Sequence, residues 1–200
     1  IGAGLGGGSA DAAATLVLLR KLFNEDMNCN KLPISKIFQM GSEMGSDVPS
    51  CIMSKDLRLS GYWKEIRRKK FPNNYYFLII YPNLKLSTKS VFEHYSNLKN
   101  SNHSSKKLFF ENIKIYNSLL FSATTLAPKI KDVLDNLKKI PKVVAYGMTG
   151  SGSTCFGIFK SLKDIPNFKK FSNNYYIWFG QKTDYNLNRV CSTKVLENKF

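Results

Sequence analysis

Near the start of the chain, Gly2-Ala3-Gly4-Leu5-Gly6-Gly7-Gly8-Ser9 places five glycines in eight residues. Glycines let the backbone enter left-handed conformations and turn successive N–H groups inward. Here they run into an apolar-periodic segment, so the amides would join the positive end of a helix dipole. That combination suits a phosphate cradle; the alternative is a glycine tract that only starts a helix. The stretch satisfies Gly-x-Gly-x-x-Gly, but Glu25 and Asp26 fall in a loop rather than at a strand end, and no Gly-Lys-Ser/Thr follows. Dinucleotide-fold and Walker-type readings therefore lack support. A second stretch, Gly45-Ser46-Asp47-Val48-Pro49, puts a carboxylate where Asp closely followed by Pro opens a helix. Taken alone, Asp47 there is an N-cap. A third, Gly147-Met148-Thr149-Gly150-Ser151-Gly152-Ser153, is a glycine loop between two strand-like runs. A hairpin connection explains two of its glycines, not its whole run of small residues.

Other chemistries find little to work with. Cys29, Cys51, Cys155 and Cys191 form no Cys-x-x-Cys pair, so neither a zinc site nor a redox motif is indicated, and a reducing compartment fits. His94 and His103 stand outside any His-x-x-x-His or Gly-x-Ser-x-Gly context, which leaves metal-dependent hydrolysis and serine-triad chemistry unsupported. No metal-ligating set is expected.

The elements that must position these motifs follow from periodicity. Ser9 to Phe23 reads as a helix, with Ala12, Ala13, Leu16, Leu19, Leu22 and Phe23 as its apolar stripe and Ser9 or Asp11 as cap. A second helix is expected from Ile34 to about Met44, buried through Ile37, Phe38 and Met40 or Met44, and a short one from Asp47 through Ile52. Leu57–Leu59 and Trp63–Ile66 are strand candidates, and Lys64–Lys70, dense in Lys and Arg, reads as a solvated connector. Phe77–Tyr81 is the clearest strand. Helical spacing recurs in Thr88–Tyr95, Phe110–Phe121 and Leu126–Leu137, with a polar loop at Asn97–Lys107. The remainder reads as strand Val143–Tyr146, turn, strand Thr154–Phe159, helix Leu162–Phe171 and strand Tyr175–Phe179. The fold class is α+β, an antiparallel sheet covered on one face by helices. A domain boundary is expected near Lys70–Asn74, giving residues 1–72, 73–185 and a tail from 186 to 200.

Composition sets outer bounds. The chain has 200 residues, 43% of them hydrophobic and 22% charged, which excludes wholesale disorder. No apolar run is long enough to span a bilayer. Thirty Lys and Arg against fourteen Asp and Glu give +16. That charge favours encounters with anions without choosing among them, and the Lys are scattered rather than interleaved with aromatics as a nucleic-acid surface would need. The sequence opens at Ile1 inside the glycine tract, so a piece of a longer product is expected.

Taken in order, the glycine cradle and helix, Gly45-Ser46-Asp47-Val48-Pro49, Pro82-x-x-x-x-Ser87-Thr88-x-x-Val91-Phe92 and Met148-Thr149-Gly150-Ser151-Gly152-Ser153 resemble the GHMP kinase superfamily. Within it they are most similar to the 4-diphosphocytidyl-2-C-methyl-D-erythritol kinases. The resemblance runs from Ile1 to about Phe159. It implies the helical remainder of an S5-like N-terminal domain followed by a ferredoxin-like C-terminal α+β domain. It also implies ATP and Mg2+ as cofactors, and phosphorylation of a cytidine diphosphate-linked methylerythritol at its 2-hydroxyl in non-mevalonate isoprenoid synthesis. Gly2, Ala3, Gly4, Leu5, Gly6, Gly7, Gly8 and Ser9 would hold phosphate, with Gly150, Ser151 and Gly152 closing over it; Asp47 would be catalytic, and Phe92 and Thr88 would meet the substrate. Two departures stand out: Ala10 replaces a usual second serine, and about five extra residues separate the cradle from Asp47. The family's lysine, its substrate-binding tyrosine and histidine and its adenine contacts lie upstream of the matching region, so this piece alone is expected to be inactive. A monomer or weak homodimer in a bacterial cytoplasm or a plastid, without nucleic-acid or membrane partners, completes the expectation. Competing readings are a GHMP kinase for homoserine, mevalonate or a sugar, a basic nucleic-acid-binding module, and an inactive truncated relic.

Overall fold

The computed structural model describes residues 3–25, 30–60, 65–68, 71–72, 74–98, 108–110, 113–166 and 175–181. The chain divides into two compact units, one containing residues 7–71, the other residues 72–182 together with the first six. Ala3 lies with the second unit, its carbonyl accepting a hydrogen bond from Thr154 N–H at 3.1 Å.

The first unit is three helices and a hairpin: α1 (Gly7–Glu25), α2 (Ile34–Met44), α3 (Val48–Met53), β1 (Leu57–Ser60) and β2 (Glu65–Arg68). Ala13 and Leu16 of α1, Ile37 of α2, and Val48 and Ile52 of α3 form its core. Gly41 lets α2 lie close to α3, since a Cβ there would meet Ile52 Cδ1 at 2.9 Å and Val48 Cγ1 at 3.1 Å. Past the end of α1 the chain is clasped: Asn24 Oδ1 accepts from Leu32 N–H at 2.6 Å, and Arg20 Nε and Asn24 Nδ2 donate to Leu32 O. β1 and β2 pair antiparallel, Leu57 opposite Arg68 and Ser60 opposite Glu65.

The second unit contains β3 (Tyr76–Tyr81), α4 (Thr88–Asn97), β4 (Leu108–Phe110), β5 (Ile113–Ile115), α5 (Leu120–Leu126), α6 (Lys129–Lys139), β6 (Ala145–Met148), β7 (Cys155–Phe159), a 3₁₀ turn at Leu162–Asp164 and β8 (Tyr176–Gln181). The main sheet is antiparallel in the order β6-β7-β3-β8, and β4 and β5 make a separate hairpin. Strand period puts Leu78 and Ile80 on one face beside Cys155 and Phe159. That face packs on Val91 of α4, Ala123 of α5, and Ile130, Val133, Leu134 and Leu137 of α6. The spacing i, i+3, i+4, i+7 is what a helix lying on a sheet requires. The opposite face carries a stack of Tyr81, Tyr176 and Trp178, with ring centroids 6.1 Å apart at each step.

Several expectations need correction. Helix α1 starts at Gly7 and not Ser9, so Ser9 and Asp11 lie inside it and do not cap it. Only Ala13 and Leu16 of its stripe are buried, while Leu19, Leu22 and Phe23 stay exposed. In α2 the buried positions are Ile37 and Gly41, with Met40 and Met44 exposed. The basic connector contains strand β2. Phe110–Phe121 is not one helix but the end of one strand, all of β5 and the start of α5. Its apolar residues satisfy both periods, and the alternation Ile113-Lys114-Ile115 with its β-branched residues favours a strand. Leu126 closes α5 and Pro128 caps α6, separating what read as one helix. After the 3₁₀ turn comes Pro166, which cannot continue a helix. The rest of the helix expected through Phe171, most of the Asn97–Lys107 loop and the tail lie outside the described residues.

Candidate active site

Two groups of expected residues take shape, one on each unit. On the first unit the cradle runs into α1. Gly7, Gly8 and Ser9 are its first three residues, where N–H groups have no intrahelical acceptor. The first turn carries no acidic side chain, so the positive end of a 19-residue helix is not neutralised by its own sequence. A Cβ built on Gly6, Gly7 or Gly8 would meet nothing within 4 Å. Bare amides, a helix dipole and open space above them fit a phosphate group. Ser9 supplies the hydroxyl of this turn, and Ala10 supplies none.

Asp47 precedes α3 as its N-cap residue, yet its side chain makes no capping hydrogen bond. Its backbone is in the right-handed helical region, φ −95° and ψ −15°, rather than the extended region in which a cap side chain folds back on the helix amides. The exposed carboxylate is therefore not used to satisfy the helix. Pro49 in the first turn of α3 needs no acceptor for its nitrogen. The Asp47 carbonyl accepts from Cys51 N–H at 3.2 Å and Ser50 Oγ–H at 2.7 Å, and buried Val48 and Ile52 anchor the helix in the core shared with α1. Burial pushes the Cys51 thiol above its ordinary value, the Ser50 hydrogen bond opposes this, and the Asp47 negative charge adds to it.

The second unit brings together the rest. Gly4, at φ +74°, lies so close to the third glycine loop that a Cβ would run into the Gly152 carbonyl group and meet Thr149 O at 2.9 Å. Gly150 and Gly152 also have positive φ, +49° and +90°. Thr149 N–H donates to Thr154 O and Gly152 N–H to Thr149 O, both at 2.9 Å, and Ser153 Oγ donates to Leu84 O. Helix α4 then reaches the loop: Thr88, its first residue, shares a 2.9 Å hydroxyl hydrogen bond with Ser151. The Ser87 side chain caps α4 by accepting from Ser90 N–H. Phe92 is one turn beyond Thr88 on the same helix side, its ring half exposed, while Val91 is buried. Leu5 is exposed, and Gly2 lies outside the described residues.

Sequence reasoning missed Asn117. Its Nδ2 donates to Met148 O at 3.0 Å and Gly150 O at 2.8 Å, and its Oδ1 accepts from Leu119 N–H at 2.9 Å. A lone Asn between a strand and a helix carries no local signal of a partner about thirty residues away. Among the described residues no group of three or more His, Cys, Asp or Glu is placed to hold a metal ion, and no helix is long and apolar enough to cross a membrane.

The GHMP kinases N terminal domain matches residues 1–55, and the GHMP kinases C terminal domain matches residues 97–177. The chain belongs to the GHMP kinases. Among its relatives in this family, a 4-diphosphocytidyl-2-C-methyl-D-erythritol kinase of Ehrlichia canis is 38% identical over 184 residues, covering 85% of this chain and 61% of the relative. One of Ruthia magnifica is 34% identical over 165 residues, covering 82% and 56%. The chain thus spans about three fifths of the length of these curated relatives. A solved 4-(cytidine 5'-diphospho)-2C-methyl-D-erythritol kinase superposes with a TM-score of 0.63 at 22% identity, over 90% of this chain and 66% of that one. A homoserine kinase from Cytophaga hutchinsonii gives 0.58 at 17%, over 92% and 66%. Both structures speak to the fold, which is the α+β fold of the GHMP kinases.

Proposed function

We propose that this chain is part of an ATP-dependent kinase that phosphorylates 4-diphosphocytidyl-2-C-methyl-D-erythritol at its 2-hydroxyl, in the cytoplasm and without nucleic-acid or membrane partners. The observation that carries the reading is Asp47, an exposed carboxylate in Gly-Ser-Asp-Val-Pro that heads a helix without capping it. Phosphoryl transfer passes through a loose transition state, so positioning and charge compensation outweigh covalent help from the protein. Asp47 orients the acceptor hydroxyl and takes its proton late. The amides of Gly7, Gly8 and Ser9 hold phosphate oxygens at the α1 terminus of the first unit. Mg2+ carried with the nucleotide would supply charge neutralisation at the β- and γ-phosphates, and Ser9 would be the hydroxyl that the first turn of α1 offers it. Phe92 offers a ring face for cytosine, and Thr88 connects that helix to Ser151.

A substrate panel with the complete gene product tests the proposal. ADP release is expected with the cytidyl-linked methylerythritol and not with homoserine, mevalonate or a hexose. Turnover of homoserine in preference would replace this reading with the competing one.

A further inference from the structure

We propose that Asn117 is a positioning residue of the nucleotide site: it sets the direction of the Ser151 N–H by holding the Gly150 carbonyl. The inference rests on the third glycine loop meeting phosphate, as the family resemblance implies. A peptide unit is planar and trans, so its C=O and N–H point in opposite directions. Asn117 Nδ2 pulls Gly150 O towards α5 at 2.8 Å. The N–H of the same peptide unit, that of Ser151, is thereby turned away from Asn117. The other amide hydrogen of Asn117 holds Met148 O at 3.0 Å, which turns Thr149 N–H to the other side, where it meets Thr154 O. One side chain thus fixes two peptide planes of a loop whose glycines otherwise leave it many conformations. Gly150, at φ +49°, is the residue with most freedom to rotate away. Thr88, bonded to the Ser151 hydroxyl, restrains the same residue from the side of α4.

Asn117 also has a purely structural task, because its Oδ1 accepts from Leu119 N–H just before α5 begins. Asn117→Asp separates the two roles. Aspartate keeps an oxygen for Leu119 but loses both donors and sets a negative charge against two carbonyl oxygens. In the complete protein, Asn117→Asp should weaken binding of a non-hydrolysable ATP analogue roughly tenfold or more, the scale of one to two lost hydrogen bonds. Where turnover is followed, KM for ATP should rise while KM for the acceptor alcohol stays within about twofold. Asn117→Asp and Asn117→Ala both lose the two donors and should lower the melting temperature, so the positioning role is read from the split between the two KM values, which a general loss of stability would not give. Analogue binding needs no acceptor, so a wild type that binds nucleotide but ignores the cytidyl alcohol would sink the substrate assignment and leave Asn117 to be judged on its binding ratio. Unchanged analogue affinity in Asn117→Asp would overturn the inference. So would a KM for the acceptor alcohol that rises as much as the KM for ATP.

Discussion

Two glycines of one tract should respond oppositely to the same substitution. At Gly4 an alanine must adopt φ +74°, which costs a residue with a Cβ roughly 1–2 kcal/mol. Its methyl also meets the Gly152 carbonyl group and Thr149 O, backbone atoms with no side-chain freedom to yield, at about 1–3 kcal/mol more. The total, about 2–5 kcal/mol, exceeds what the Ala3–Thr154 hydrogen bond contributes, about 1 kcal/mol. The segment should therefore let go before the unit unfolds. Gly8→Ala meets nothing within 4 Å inside α1, and replacing a helical glycine should stabilise by about 0.8–1 kcal/mol. Amide exchange at Thr154 reads the first effect and the urea midpoint the second. Gly4→Ala should cost Thr154 most of its protection and move the midpoint little; Gly8→Ala should raise the midpoint. Because the open space over Gly8 is where phosphate would sit, its alanine should still weaken nucleotide binding. A Gly4→Ala protein with Thr154 protected as in wild type, or a Gly8→Ala protein of lower stability, would refute this account of the tract.

Phe92→Ala should raise KM for the cytidine-bearing acceptor by about tenfold, the scale of one lost aromatic stack, with KM for ATP unchanged; equal losses for both substrates in steady-state assays would count against a cytosine contact. Cys155 gives a pH test. Burial pushes its thiol from 9.0 up to about 12. Below pH 9 both folded and unfolded chains keep the proton. Between 9 and 12 only the folded chain does, so stability falls by about 1.4 kcal/mol per pH unit as pH rises. Urea titrations from pH 8 to 11 should show this extra slope in wild type relative to Cys155→Ala, and parallel curves would mean that the thiol ionises without cost.

The fold was legible where one local pattern had one solution. Helix α2 lies where the periodicity put it, and β3 differs by a single residue. Misreadings cluster where a pattern had two solutions or where contacts decide. Ile113 and Ile115 suit either period, Pro128 could begin a helix or divide two, and the glycines at positions 7 and 8 are poor helix formers that the helix nonetheless includes. In the candidate site, Asp47 at the head of a short helix was readable from Asp and Pro alone. That its carboxylate does not cap α3 was not, because capping depends on a backbone angle. The Thr88–Ser151 and Asn117–Gly150 hydrogen bonds join residues 63 and 33 positions apart. No short motif encodes a pairing of that range, and the glycine loop, although conspicuous in sequence, does not say what holds it.

Turnover of Asp47→Asn in the complete protein bears most directly on the kinase reading. Asparagine keeps the size and place of the side chain but cannot accept the hydroxyl proton. With saturating ATP and the cytidyl-linked methylerythritol, kcat should fall by about 10²–10⁴-fold, the usual contribution of a positioned base, while affinity for ATP stays within about twofold. A variant that turns over at the wild-type rate would remove Asp47 from the chemistry and with it the ground for the proposed reaction.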